Sequence, residues 1–122
     1  MTGLNMFDKV MLLLGYSGAN GEVLGKDELL TRGLVAINQI YSDLLYIGGN
    51  DDFVPLLNIN DEIKLPPREL YDVMPYGVAM FLAAAEGDGD NQQIFAESYN
   101  KKRVSVKAKA CHITDTLPRV CD

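Results

Sequence analysis

The glycine-rich segment that ends at Gly25 and Lys26 is the first candidate for a chemical site, because loops of this composition can bind phosphate. A phosphate-binding loop of the Gly-x-x-x-x-Gly-Lys-Ser/Thr type wraps phosphate oxygens in backbone N–H groups and places a hydroxyl on magnesium. Here Gly25 and Lys26 are followed by Asp27 instead of a hydroxyl residue. The first glycine of the pattern falls on Asn20. Because both ends of the pattern fail and Asp27 would repel phosphate, we expect no nucleotide site.

Asp88, Gly89 and Asp90 have the composition of a calcium-binding loop. The twelve-residue loop requires glycine at its sixth position and glutamate at its twelfth. Counted from Asp88, these positions hold Gln93 and Tyr99. The pattern instead predicts a turn followed by a helix, with Asp90 as the N-cap and Gln93 at the capping-box position.

Cys111, His112 and Cys121 could supply soft metal ligands or a nucleophile. Structural zinc normally takes four ligands, and His112 is the only histidine. A catalytic base usually comes from elsewhere in the fold, whereas Cys111 and His112 are adjacent. The two cysteines could form a disulfide or stay reduced; free thiols of a cytoplasmic protein fit better. We therefore expect neither a metal nor a cofactor.

Two pairs of carboxylates, Asp51/Asp52 and Asp61/Glu62, could act as a general acid and base only if burial separated their pKa values. Both pairs fall in segments with loop composition, so we expect solvated charges. No catalytic constellation remains, and the sequence predicts a protein that is not an enzyme.

Charge is divided unevenly along the chain, whose net charge is −6. Residues 1–100 carry five basic and fifteen acidic residues, and residues 101–122 carry six basic and two acidic ones. An acidic body with a basic end favours contact between copies or with an acidic partner. Basic residues near a helix C-terminus also offset its dipole. Since the total is negative and aromatic residues are not interleaved, only non-specific contact with DNA is expected.

Hydrophobic periodicity predicts four helices. The first spans about 5–14 with Phe7, Val10, Met11 and Leu14 on one face, and Gly15 ends it. The second spans about 27–47, with Asp27 as a possible N-cap and Gly48-Gly49 at its end. Its stripe comprises Leu30, Leu34, Ile37, Tyr41 and Leu44.

A third helix is predicted over about 67–86 and a fourth from Asp90, fading between residues 104 and 110. Pro67 suits a first helical position, whereas Pro75 should kink or break the third helix. The predicted core positions of these two helices are Leu70, Met74, Gly77, Val78, Phe81, Leu82 and Ala85, then Phe95, Tyr99 and Val106.

The fold class that follows is all-α: a small four-helix bundle with an extended loop between helices 2 and 3 and an irregular C-terminal arm. Pro55 and the alternation around residues 53–65 allow a short β-ribbon within that loop. We divide the chain into a helical domain, residues 1–110, and an arm, residues 111–122. No apolar run approaches the length needed to cross a membrane, and we recognise no secretory signal, so a cytoplasmic protein is expected.

The succession of these motifs resembles the head-tail connector, or adaptor, proteins of tailed bacteriophages and prophages. The resemblance covers about residues 7–103 and depends on the order and spacing of short motifs rather than on any one of them. These are Leu13-Leu14-Gly15, LVAINQIYSDL at 34–44, DEIKLP at 61–66, YGVAMFLA at 76–83, Gly87-Asp88, Phe95 and YNKK at 99–102.

The resemblance implies a ring of identical subunits that joins the portal vertex to the tail or to a stopper protein and extends the DNA channel. The expected partners are thus further copies of the chain, the portal protein, and the tail or stopper, in the host cytoplasm during assembly and then in the virion. The alternative is a non-phage helical adaptor or regulatory domain that binds a protein partner. The candidate partner-binding residues are Asp51, Asp52, Phe53, Val54, Lys101, Lys102, Arg103, Lys107, Lys109 and Arg119.

Overall fold

A computed structural model of the protein describes residues 1–16, 25–49 and 52–114, with side chains described as far as residue 106. Its four α-helices are α1 (Gly3–Leu14), α2 (Lys26–Ile47), α3 (Met74–Ala85) and α4 (Gly89–Thr114). A five-residue π-helix, Glu69–Val73, leads directly into α3. The described residues contain no strand, only one isolated bridge. The predicted all-α, four-helix architecture is therefore confirmed.

Two salt bridges show how the helices run relative to one another. Arg32, early in α2, pairs with Glu86, which directly follows α3. Asp43, late in α2, pairs with Arg103 in α4. Helices α2 and α4 therefore run parallel, and α3, joined to α4 by three residues, runs antiparallel to both.

The start of α4 is capped by Asp88, not by Asp90 as predicted. The Asp88 Oδ1 atom accepts a hydrogen bond from the Asn91 N–H (3.3 Å), and its carbonyl accepts one from the Gln92 N–H (2.9 Å). The Tyr16 hydroxyl donates to Asp88 Oδ2 (3.0 Å). Since this contact places the end of α1 at the start of α4, the bundle is up-down-up-down.

The core consists mainly of the predicted apolar faces. All four stripe residues of α1 and the three of α4 are buried. In α2 the buried face is rotated slightly from the prediction, because Leu30 and Leu34 are only partly buried whereas Leu29 and Gly33 are buried. A Cβ at Gly33 would lie 2.7 Å from Phe7 Cδ1, so the missing side chain lets α1 approach. In α3, Phe81 is half-buried and Ala85 exposed; the other predicted core positions are buried.

The sequence predicts that Pro75 interrupts the third helix. The structure confirms an interruption at this point, in the form of the π-helix that precedes Pro75. The Met74 N–H donates to the Glu69 carbonyl, five residues earlier. In a regular α-helix the Tyr71 carbonyl would bond to the N–H of residue 75, which proline lacks. The Lys9 ammonium donates to that carbonyl instead (3.2 Å), which ties α1 to the π-helix.

One predicted cap and one predicted helix end are wrong. Helix α2 begins at Lys26, within one residue of the prediction, but its N-cap is Gly25 and not Asp27; the φ of 65° at this position suits glycine. Helix α4 continues to Thr114, beyond the predicted end and into the first four residues of the predicted irregular arm. The physical reason is composition: residues 104–114 contain good helix formers and no glycine or proline.

Candidate functional site

The loop of residues 52–66, here called the connecting loop, is held on the bundle by hydrogen bonds. The side chain of Asn38 in α2 pairs with both backbone groups of Leu56. The Asn38 Nδ2 donates to the Leu56 carbonyl (3.0 Å), and the Leu56 N–H donates to Asn38 Oδ1 (2.7 Å). Leu56 itself is buried, so this contact anchors the loop at its middle.

The connecting loop also covers the N-terminus of α1. The Gly3 N–H donates to the Asp61 carbonyl (3.0 Å), and the Leu4 N–H donates to the Ile59 carbonyl (2.7 Å). These are N–H groups of the first helical turn, which lack partners inside the helix. The predicted β-ribbon within the loop is therefore wrong. The loop pairs with the chain terminus instead, and the one isolated bridge joins Thr2 and Glu62.

Asp61 and Glu62 are exposed loop charges, as predicted, and they also take part in this docking. The Asp61 Oδ2 atom accepts hydrogen bonds from the Leu57 N–H (3.1 Å) and the Asn58 N–H (3.0 Å). Glu62 forms a salt bridge with the N-terminal ammonium of Met1 (3.1 Å). Asp61 therefore closes a turn at the tip of the loop.

Tyr41 of α2 anchors both ends of the connecting loop. Its ring packs edge-on against Phe53, with 5.5 Å between the ring centroids. Its hydroxyl accepts a hydrogen bond from the Lys64 N–H (3.1 Å). Phe53, a predicted partner-binding residue, is consequently half-buried and serves the loop's own packing.

Two large apolar side chains of the connecting loop remain outside this packing. Val54 is 74% exposed and Leu57 is 88% exposed. Val54 borders a groove of about 500 Å³ between the loop and α2, which is also lined by Asp52, Asp61 and Glu62. The loop thus presents an apolar and acidic surface on a backbone that is already ordered.

The predicted basic cluster of residues 101–103 is divided by the structure. Arg103 donates to both carboxylate oxygens of Asp43, through Nε (2.7 Å) and Nη2 (2.9 Å). The Tyr99 hydroxyl donates to the same carboxylate (2.6 Å). These bonds hold α4 on α2, so Arg103 has a structural role. Lys101 is exposed.

The pKa values of Asp43 and Tyr99 both shift in the direction that preserves the hydrogen bond between them. The hydrogen bond from Arg103, helped by the one from Tyr99, lowers the pKa of Asp43 although partial burial opposes the shift. Burial, and then the Asp43 carboxylate, raise the pKa of the Tyr99 hydroxyl. At neutral pH Asp43 is charged and Tyr99 is a donor, which is the pairing the geometry requires.

Lys102 lies against the π-helix. Its ammonium is 2.8 Å from Asp72 Oδ1 and 4.8 Å from the centroid of the Tyr76 ring. Asp72, Lys102 and buried Glu69 contribute to the lining of a pocket of about 160 Å³. Glu69 Oε2 is buried and has no hydrogen-bond partner among the described residues.

The structure gives less information about the remaining predicted partner-binding residues. Asp52 is exposed beside Val54. Lys107 and Lys109 lie on the helical backbone of α4, but their side chains are outside the described part. Asp51 and Arg119 lie outside the described residues, as does Cys121.

Comparison with known proteins assigns no family. No protein-family model matches the sequence, and neither the curated proteins nor the solved structures contain a significant match. Within residues 1–16, 25–49 and 52–114, no helix is long and apolar enough to cross a membrane. The same part of the chain contains no group of three or more His, Cys, Asp or Glu residues that could hold a metal ion.

Proposed function

We propose that the protein is an assembly subunit that acts by binding other protein chains, and specifically a head-tail connector subunit of a tailed bacteriophage or prophage. The observation that carries this proposal is the connecting loop. Its backbone is fixed by Asn38, Tyr41 and the start of α1, while Val54 and Leu57 are left exposed.

An ordered loop with exposed apolar tips favours protein binding for two reasons. Exposed apolar side chains gain free energy when a partner covers them. A loop that is already ordered also loses less conformational entropy on binding than a disordered one. The specific role in a connector is supported by the order of the sequence motifs, in which the helix with LVAINQIYSDL is followed by the connecting loop and DEIKLP forms the end of that loop.

The test is reconstitution with the portal protein encoded in the same genome. We expect the full chain to form a ring on the portal, which negative-stain electron microscopy and co-sedimentation would detect. Leu57→Ser should weaken this association. Ile94→Ser is the matched control, because Ile94 is also an exposed apolar residue (58%) but lies on α4.

Three results would argue against the proposal. A chain that binds no portal and remains a monomer would exclude a connector subunit. A chain that binds a different protein through Leu57 would instead identify the non-phage adaptor. Equal loss of binding in both variants would show that the connecting loop is not the binding surface.

A further inference from the structure

One face of the bundle is basic and aromatic although the body of the chain is acidic. It consists of Lys9 on α1 and of Arg68 and Tyr71 at the π-helix, and is called here the basic face. The Lys9 ammonium lies 5.4 Å from the centroid of the Tyr71 ring and donates to the Tyr71 carbonyl, which is neutral. Tyr71 is 51% exposed.

The charges of Lys9 and Arg68 are not neutralised by a close salt bridge. Among the described residues, no carboxylate oxygen lies within 4.0 Å of the side-chain nitrogens of either residue. The exposed carboxylate nearby, Asp72, is already paired with Lys102. The buried Glu69 lies beside Arg68 in the chain and contributes a second carboxylate to this region. Lys9 and Arg68 also lower the pKa of Asp72, but neither forms a salt bridge with it, so both charges and the exposed tyrosine can still contact a partner.

The connecting loop has the complementary properties. It presents the carboxylates of Asp52 and Glu62 beside the exposed apolar Val54 and Leu57. Glu62 is paired with the N-terminal ammonium, but its side chain is 64% exposed. Lys64 also lines the groove beside the loop, where three carboxylates outnumber it. One surface is therefore mainly cationic and aromatic, the other mainly anionic and aliphatic, which is the match of charge and apolar area found in protein interfaces.

We propose that the basic face of one copy binds the connecting loop of a second copy. This inference rests on the proposed function and specifies which surfaces of the subunit meet. Tyrosine and arginine, the residue types that most often dominate interface energetics, would lie at the centre of the contact. Nucleic acid fits less well, because the chain carries seventeen acidic and eleven basic residues and would be repelled by phosphates as a whole.

The experiment is a charge swap measured by sedimentation equilibrium on the full chain. Arg68→Glu and Glu62→Lys should each weaken self-association by about tenfold or more, because each places like charges opposite one another. The double variant restores opposite charges and should regain most of the affinity. Association of the original protein should also weaken with added salt.

The control is Lys26→Glu, which reverses an exposed cation at the start of α2, at the other end of the bundle. It should leave self-association unchanged. Because Glu62→Lys also removes the contact with the N-terminal ammonium, thermal unfolding of each variant is measured. If Glu62→Lys unfolds, Asp52→Lys replaces it in the swap.

Single reversals without effect, or a double variant no better than the singles, would overturn the inference. So would duplex DNA binding that Arg68→Glu abolishes, since the basic face would then be a nucleic-acid site. A protein that stays monomeric yet binds portal through Leu57 would refute this inference and leave the proposed function standing. A monomer without any portal binding would refute both.

Discussion

Gly77 of α3 lies against the ring of Tyr99, whose hydroxyl is fixed by Asp43. A Cβ at position 77 would lie 2.7 Å from Tyr99 Cε1 and 3.0 Å from Ile40 Cδ1. Both distances are shorter than ordinary contacts between carbon atoms. The ring cannot swing away without breaking the hydrogen bond to Asp43, so glycine is required for the close approach of α3 and α4.

The prediction is that Gly77→Ala destabilises the protein. Alanine would normally gain about 1 kcal/mol over glycine inside a helix. Overpacking costs about 1–3 kcal/mol, and the fixed Tyr99 ring leaves little room for relaxation, so a net loss is expected. Urea unfolding measures it.

Gly89→Ala is the matched control for Gly77→Ala. Position 89 is also glycine in a helix, but a Cβ there would have no atom within 4 Å. It should be neutral or slightly stabilising. An increase in the free energy of unfolding for both variants would contradict the close packing described at Gly77.

The roles of Lys102 and Arg103 show the limit of sequence reasoning at single residues. The sequence predicts both as partner-binding residues of the basic end of the chain. The carboxylates that pair with them, Asp72 and Asp43, lie 30 and 60 residues away in the chain. Such partners are brought together only by helix packing, and no local pattern contains them.

At the scale of elements, helices were predictable because their signal is local. The stripe of α1 and the break before Pro75 each follow from residues within a few turns. The cap of α4 was misplaced because Asp88 and Asp90 both suit an N-cap, and only the contacts to Tyr16 and Asn91 distinguish them.

The connecting loop was predicted to exist and to be extended, but its pairing was wrong. Its hydrogen-bond partners are residues 1–4 and Asn38, which sequence spacing does not connect to it. Nothing in the sequence marks Asn38 as an anchor of the loop, because a polar residue within a long amphipathic helix normally faces water. The candidate site therefore depended on the structure, although the exposed Val54 was among the predicted residues.

Asn38→Ala should release the connecting loop. It removes both partners of the Leu56 backbone, and an unsatisfied buried polar group costs about 1–3 kcal/mol. Hydrogen exchange at the Leu56 amide should become faster, and urea unfolding should show a loss of that order. Gln39→Ala changes the exposed neighbouring residue and should alter neither quantity. Unchanged exchange at Leu56 in Asn38→Ala would contradict the anchoring role.

At the scale of the whole molecule, α4 is held by three carboxylates with lowered pKa values. Hydrogen bonds from Arg103 lower the pKa of Asp43, and one from Lys102 lowers the pKa of Asp72. Hydrogen bonds from Asn91 to the carboxylate lower the pKa of Asp88. All three shifts have the same sign, so acid should loosen the attachment of α4 to the rest of the bundle.

The pH dependence of stability follows from that sign. A carboxylate whose pKa is lower in the folded state than in the unfolded one stabilises the fold above its unfolded pKa, about 4 for aspartate. The stabilisation is lost as the pH falls through the folded pKa, because the folded state must then take up a proton that the unfolded state already holds. We therefore expect the free energy of unfolding to decrease as the pH is lowered from about 5 to 3.

Asp43→Asn tests this assignment, because it removes the carboxylate that joins α2 to α4 and keeps the side-chain shape. The variant should be less stable at pH 7, and its stability should fall less steeply in acid, as urea unfolding at several pH values would show. Asp8→Asn removes an exposed carboxylate of α1 that forms no salt bridge among the described residues, and it should keep the original pH dependence. If the free energy of unfolding fell equally steeply with pH in the Asp43 variant and the original protein, the hydrogen bonds from Arg103 and Tyr99 to Asp43 would not contribute to the pH dependence of stability.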